Sequence, residues 1–171
     1  MAAGRFGAVV AAMATPFDEA GRLDVDGAVR LARWLLDHGN DGLVLAGTTG
    51  ESPTLSDDEK VELWRAVAGA VDRPVVAGTS TPDTAHSVEL TAAAVGAGVA
   101  GILAVTPYYV RPSQAGIEAH LRAIAGAAGG RPVILYDIPV RTGRRVAPTT
   151  ILRLAHDGVI AGMKDATGDP A

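Results

Sequence analysis

Cysteine is absent from all 171 residues. Disulfides, thiolate zinc sites and cysteine nucleophiles are therefore excluded, and the composition is compatible with a reducing cytoplasm, where we expect the protein. No apolar stretch approaches the roughly 18 uninterrupted residues of a membrane span, so no membrane partner is expected. Blocks of like charge are also missing. With a formal net charge of -4 and pI near 5.5, a nucleic-acid partner is not expected either. Aromatic residues make up only 4% of the chain, so each tyrosine and tryptophan is a position to account for. Lysine is scarcer still: of 15 Lys+Arg residues only Lys60 and Lys164 are lysines. Arginine has no accessible neutral amine, whereas a desolvated lysine can attack a carbonyl. Lys164 ends an apolar run, which makes it the residue to follow.

What is present is an alternation. Short apolar runs occur at 9–14, 43–46, 75–78, 102–106, 133–138 and 159–164, rich in Val, Ile and Leu. Continuous runs of this kind predict strands buried on both faces, as in a parallel sheet. Consecutive runs start roughly 25–35 residues apart, the size of one βαβ unit. The segments between carry helix signals. Residues 26–37 place Val29, Ala32, Trp34, Leu35 and Leu36 on one side, with Gly39 as a stop. Ser56-Asp57-Asp58-Glu59 reads as a capping box ahead of an apolar face of Val61, Leu63, Trp64 and Val67. Asp83 or Thr84 opens a helix to Val95, Ser113 opens one to about Ala125, and Pro148 begins a short helix ending near His156. Trp34 and Trp64 are expected to pack helices on the sheet.

The start of the chain faintly mimics a secretory leader, with Arg5 ahead of apolar residues 8–14. Thr15-Pro16-Phe17 and the charges beyond it favour a first strand ending in a loop. The fold class is α/β, and 1–171 reads as a single domain without linker or low-complexity segment. A TIM (β/α)8 barrel needs eight strand–helix units and about 250 residues. Six units leave two readings open, an open doubly wound sheet or a barrel lacking its last quarter.

In either architecture, ligands sit at the carboxyl ends of the strands. The second run is followed by Gly47-Thr48-Thr49-Gly50-Glu51, a tight turn suited to a carboxylate, with neither P-loop nor dinucleotide spacing. The fourth leads into Thr106-Pro107-Tyr108-Tyr109-Val110-Arg111-Pro112-Ser113, and the fifth into Tyr136-Asp137-Ile138-Pro139-Val140-Arg141-Thr142-Gly143. All three tyrosines fall at strand ends, where a phenol can relay protons and Arg141 can clamp a carboxylate. His38, His86, His120 and His156 fall in helical segments without ligand spacing, so no metal is expected. Arg144 and Arg145 are expected to be solvated.

As a set, Thr15-Pro16-Phe17, Gly47-Thr48-Thr49-Gly50-Glu51-Ser52, Val105-Thr106-Pro107-Tyr108-Tyr109-x-Arg111-Pro112-Ser113-Gln114, Leu135-Tyr136-Asp137-Ile138-Pro139-x-Arg141-Thr142-Gly143 and Gly162-Met163-Lys164-Asp165-Ala166-Thr167-Gly168 resemble the dihydrodipicolinate synthase family. The resemblance covers essentially the whole chain. It implies a (β/α)8 barrel, here truncated to about six βα units, and a lyase reaction joining pyruvate to aspartate 4-semialdehyde on the route to diaminopimelate and lysine. It further implies that Lys164 forms the Schiff base and that Tyr136, Thr48 and Tyr109 relay protons, with Tyr109 reaching a neighbouring subunit. Gly47, Thr48 and Thr49 would hold the pyruvate carboxylate, and Arg141 the semialdehyde carboxylate. No cofactor is implied, and the assembly would be a homo-oligomer, a dimer of dimers.

The chemistry suits these residue types. A neutral amine must attack the ketone, and apolar Ile160 and Met163 beside Lys164 are expected to disfavour its charged form. Hydroxyl groups in line can move protons without adding a competing charge. The truncation is expected to leave the first and sixth strands with unpaired edges. Three rivals stand beside this reading: a sister lyase acting on sugar-type aldehydes, a non-catalytic fragment, and an open phosphate-binding α/β domain. The Pro-x-Arg-Thr-Gly arginine favours a small carboxylated aldehyde over a sugar.

Overall fold

The computed structural model describes residues 4–169. The leader-like reading of the extreme N-terminus falls partly on Met1–Ala3, outside the described residues. The chain forms two compact units, one of Met1–Gly78 with Ala93–Ala100 and one of Thr79–Ala92 with the chain from Gly101 onward.

The first unit holds three parallel strands in sequence order, β1 (Val10–Ala12), β2 (Gly42–Leu45) and β3 (Val75–Gly78). Helix α1 (Val25–Asp37) follows β1, and α2 (Asp57–Ala70) follows β2. Each helix begins where a side chain satisfies an orphan amide. The Asp24 carboxylate accepts from the Gly27 N–H, while Ser56 and Glu59 form the reciprocal capping box. Asp41 holds the entry to β1 by accepting from the Ala8 and Val9 amides at 2.7 and 3.0 Å. The Val9 bond, then the Ala8 bond, holds its carboxyl below the usual range. Strands β2 and β3 are buried throughout, and Leu63, Trp64 and Val67 of α2 supply the apolar cover. Trp64 packs as expected. Trp34 does not: it is 55% exposed and stacks on His38, ring centroids 4.2 Å apart. A 3.6-residue period rotates position 34 away from the stripe of Ala28 and Ala32 that meets the core.

The second unit also holds three parallel strands in order, β4 (Gly101–Val105), β5 (Val133–Asp137) and β6 (Gly162–Asp165). Helix α3 (Thr84–Gly96) enters it with Asp83 capping the Ala85 amide. Helix α4 (Gln114–Ala127) is capped by Ser113, and α6 (Pro148–His156) begins with the proline at its first turn. A one-turn helix, α5 (Pro139–Thr142), fills the loop after β5 and was not expected. Ile117, Leu121 and Ile124 of α4, Leu154 of α6 and Leu135 of β5 are fully buried.

Two strands depart from the buried pattern. β1 and β6 are largely exposed, and among the described residues each pairs with one strand only. β6 also starts three residues later than the apolar run. Val159 and Ile160 are consumed in closing α6: both amides donate to the Leu154 carbonyl around a left-handed Gly158. Among the described residues no helix is long and apolar enough to cross a membrane.

His120, on α4, is 2% exposed; its Nδ1 lies 2.9 Å from Thr84 Oγ1 and its Nε2 has no partner among the described residues. Burial lowers its pKa to about 4, the charge of Asp83 opposing. The unfolded chain therefore takes up this proton near the ordinary value of about 6.5 while the folded one does not. Stability should be lost as pH falls from about 6.5 to about 4. Urea unfolding of His120→Gln, compared with the parent across that window, should show a shallower pH slope; identical slopes would contradict the assignment.

Candidate active site

β5 and β6 run parallel with Tyr136 paired to Lys164 and Asp137 to Asp165. Side chains of paired residues in parallel strands leave the sheet on the same face. Lys164 Nζ accordingly lies 4.3 Å from the centroid of the Tyr136 ring. Tyr136 is 5% exposed, so the ring is a fixed platform beneath the amine. Lys164 is half-buried and Met163 is 37% exposed. With Met163 this exposed, the expected apolar enclosure by Ile160 and Met163 is incomplete. Ile160 is buried, but the backbone that carries it belongs to the α6 cap.

Asp137 follows Tyr136 and faces the other way, as alternation in a strand requires. Its carboxyl is 1% exposed; Oδ2 accepts from the Val146 N–H at 3.1 Å, and Oδ1 has no partner among the described residues. Burial pushes this carboxyl up, against the Val146 bond and the positive charge of Arg145, while the charge of Asp165 adds to the rise. At the end of β6, Asp165 is held down by its bonds to the amide and hydroxyl of Thr167. The turn after Lys164 is thereby tied locally.

Arg141 is exposed on α5. The helix stops at Gly143, whose φ is 72° and whose missing Cβ would meet Arg111 Nε at 2.7 Å. Any larger residue there would be strained and would also displace Arg111. Tyr109 is 91% exposed with φ 71°, and its flanking residues close a tight turn through Val110 N–H to Tyr108 O at 2.8 Å. Arg111 has φ 46°. Two non-glycine residues in the left-handed region within three positions cost on the order of 1–3 kcal/mol each, a strain found where a side chain must be aimed. Tyr108 is half-buried, and burial raises its phenol.

Gly47, Thr48 and Thr49 lie in the first unit, in the turn after β2, with both threonines exposed. Ala46 and Glu51 bracket this turn at φ 49° and 58°. The Ser52 amide donates to the Gly47 carbonyl and the Glu51 amide to that of Thr48. The buried Thr15 hydroxyl, beyond β1, donates to the Gly50 carbonyl at 2.7 Å. A Cβ at Gly50 would sit 3.0 Å from the Met13 carbonyl oxygen. The structure thus brings Lys164 and Tyr136 into contact, sets Arg141 on the next helix, leaves Tyr109 projecting, and holds the threonine turn within its own unit. Thr15, Gln114 and Asp137 escaped residue-by-residue reading as supports. Their one signal in the sequence is their place inside the motifs at 15–17, 105–114 and 135–143.

The Dihydrodipicolinate synthetase family profile matches residues 5–171. A curated relative, 4-hydroxy-tetrahydrodipicolinate synthase of Acidothermus cellulolyticus, is 58% identical over 96% of this chain and 54% of its own. The crystal structure of a dihydrodipicolinate synthase from Bacillus anthracis superposes with a TM-score of 0.93 at 43% identity, covering 96% of this chain and 56% of that one. A chloride-inhibited dihydrodipicolinate synthase from Acinetobacter baumannii, complexed with pyruvate, matches with a TM-score of 0.89 at 39% identity, covering 94% and 56%. The chain spans about half the length of the relatives it matches. The fold class is thereby the (β/α)8 barrel, represented by six strands, and the doubly wound alternative is set aside.

The Thr15 bond gives a test of the turn's support. Thr15→Val keeps the shape but leaves the buried Gly50 carbonyl without its donor, and should cost about 1–3 kcal/mol in urea unfolding. A cost near zero would show that the bond does not hold the turn.

Proposed function

The chain belongs to the dihydrodipicolinate synthetase family, and from that membership we propose that the protein is a lyase condensing pyruvate with aspartate 4-semialdehyde. The single observation that carries the reading is the amine of Lys164 held 4.3 Å over the Tyr136 ring. Further support comes from the relative that binds pyruvate on the same fold. We assign the site residue by residue. Lys164 is the nucleophile; Tyr136, Thr48 and Tyr109 relay protons; Gly47, Thr48 and Thr49 receive the pyruvate carboxylate; Arg141 receives the carboxylate of the aldehyde.

The steps follow from those groups. The uncharged amine of Lys164 adds to the pyruvate ketone, and loss of water gives an iminium. The cationic nitrogen withdraws the electrons of a methyl C–H bond. A proton leaves through the hydroxyl relay, and an enamine remains. Its carbon attacks the aldehyde carbon, whose oxygen takes up a proton. The amine of the semialdehyde then displaces Lys164 from the iminium carbon and closes the ring of 4-hydroxy-tetrahydrodipicolinate. The net change is the loss of one water. Every step uses groups of this chain and its neighbouring copy together with the two substrates. We also propose that 1–171 acts as a single domain, that the protein is a cytoplasmic homo-oligomer, and that Tyr109, exposed on a strained turn, is aimed at a neighbouring subunit.

Borohydride reduction in the presence of pyruvate tests the nucleophile. One covalent adduct on Lys164 is expected, absent in Lys164→Arg; an adduct elsewhere, or none in folded protein, rejects the assignment. Turnover with carboxylated against sugar-type aldehydes tests the second substrate. Arg141→Lys should raise KM for the carboxylated aldehyde about tenfold or more, because a point charge replaces a bidentate fork. Turnover with sugar-type aldehydes alone would favour the sister lyases.

A further inference from the structure

Residues 143–147 return the chain from α5, which carries Arg141, to α6. Three successive residues of this return are gripped by side chains from two other elements. Gln114, the first residue of α4, uses both ends of its amide. Its Nε2 donates to the Arg145 carbonyl at 2.9 Å and its Oε1 accepts from the Ala147 N–H at 2.8 Å. Between them the Val146 N–H donates to Asp137 Oδ2 at 3.1 Å. Val146 itself is fully buried while Arg144 and Arg145 on its flank are exposed. At the α5 end, the buried Thr142 hydroxyl lies 3.0 Å from the Arg144 carbonyl and 3.2 Å from that of Ile138.

Asp137 does a second thing. Its main-chain carbonyl accepts from the Ala166 N–H at 2.9 Å, two residues past Lys164. One residue therefore binds the exit of the lysine strand through its backbone and the return from Arg141 through its carboxyl. Asp137 also follows Tyr136 directly. A buried acid with a single N–H partner is an expensive way to fasten a loop, since burial alone favours an apolar residue there. Burial raises its carboxyl, so an amide of the same shape is the conservative replacement.

We propose that Gln114 and Asp137 are positioning residues that clamp residues 143–147 and so fix the Arg141 guanidinium relative to Tyr136 and Lys164. This rests on the reading of Arg141 as the carboxylate clamp of the proposed reaction. Loosening the clamp impairs capture of the carboxylated aldehyde and leaves pyruvate trapping on Lys164 intact.

The test uses Gln114→Leu, Asp137→Val and Asp137→Asn. Three quantities are read: steady-state constants for the aldehyde at saturating pyruvate, borohydride trapping of pyruvate, and amide hydrogen exchange at 145–147. Gln114→Leu and Asp137→Val should raise the aldehyde KM about tenfold, with kcat within about threefold and trapping unchanged. Both should speed exchange at 145–147, and Asp137→Asn should restore all three towards the parent. Faster exchange with an unchanged KM overturns the proposal, as does a fall in trapping and kcat with KM unaltered. Where Asp137→Val does not fold, Gln114→Leu decides alone, because its side chain lies at a helix start outside the core. If the parent traps no pyruvate, the proposed function fails separately. The clamp is then judged by exchange, and protection of 145–147 that survives Gln114→Leu overturns it.

Discussion

Adjacent parallel strands hold their paired residues on a common face, and the register of β5 against β6 fixes everything else about this site. With Tyr136 paired to Lys164, a long flexible amine is laid over a buried ring, and its reach becomes a defined position. A slip of one residue would turn Lys164 to the opposite face and present Met163 or Asp165 in its place. The register is itself over-determined. The Ala161 N–H donates to the Val133 carbonyl before the strand and the Ala166 N–H to the Asp137 carbonyl after it. α6 is closed by Val159 and Ile160, so the strand cannot begin earlier.

The same strand serves two faces. Tyr136 is the platform for the amine, while Asp137 on the other face fastens the segment that returns from Arg141. Alternation along one extended segment thus couples the side of the proposed nucleophile to the side of the proposed anion clamp without any further element. In the other unit, Thr15 does comparable service for the Gly47–Gly50 turn, from the loop after β1. In each case a polar side chain from a neighbouring strand end holds a backbone carbonyl or amide of the turn carrying the candidate residues.

Much of this was legible in the amino-acid sequence because it is local. The apolar runs marked the six strands, and Ser56, Asp83 or Thr84, and Ser113 marked helix starts, since capping needs only residues two or three positions apart. The tyrosines, Lys164 and the glycine–threonine turn were conspicuous by residue type. What was not legible is what depends on partners distant in sequence. The run 159–164 is apolar, yet its first two residues cap a helix, because Gly158 permits a left-handed turn that hydropathy does not register. β6 is largely exposed and, among the described residues, has one neighbouring strand, which its own residue types do not announce. Trp34 sits one step off the buried stripe, a matter of rotation about the helix axis. The bond from Val146 to Asp137 joins residues nine apart, across a one-turn helix that no periodicity announces.

The central claim is that Lys164 is the carbonyl-binding amine and that Tyr136 is its platform. A crystal structure of the protein soaked with pyruvate and reduced with borohydride tests it most directly. Continuous density from Lys164 Nζ to the ketone carbon of pyruvate, with the Tyr136 ring alongside, is the predicted result. Pyruvate bound with no covalent link to Lys164, or linked to another residue, would contradict it.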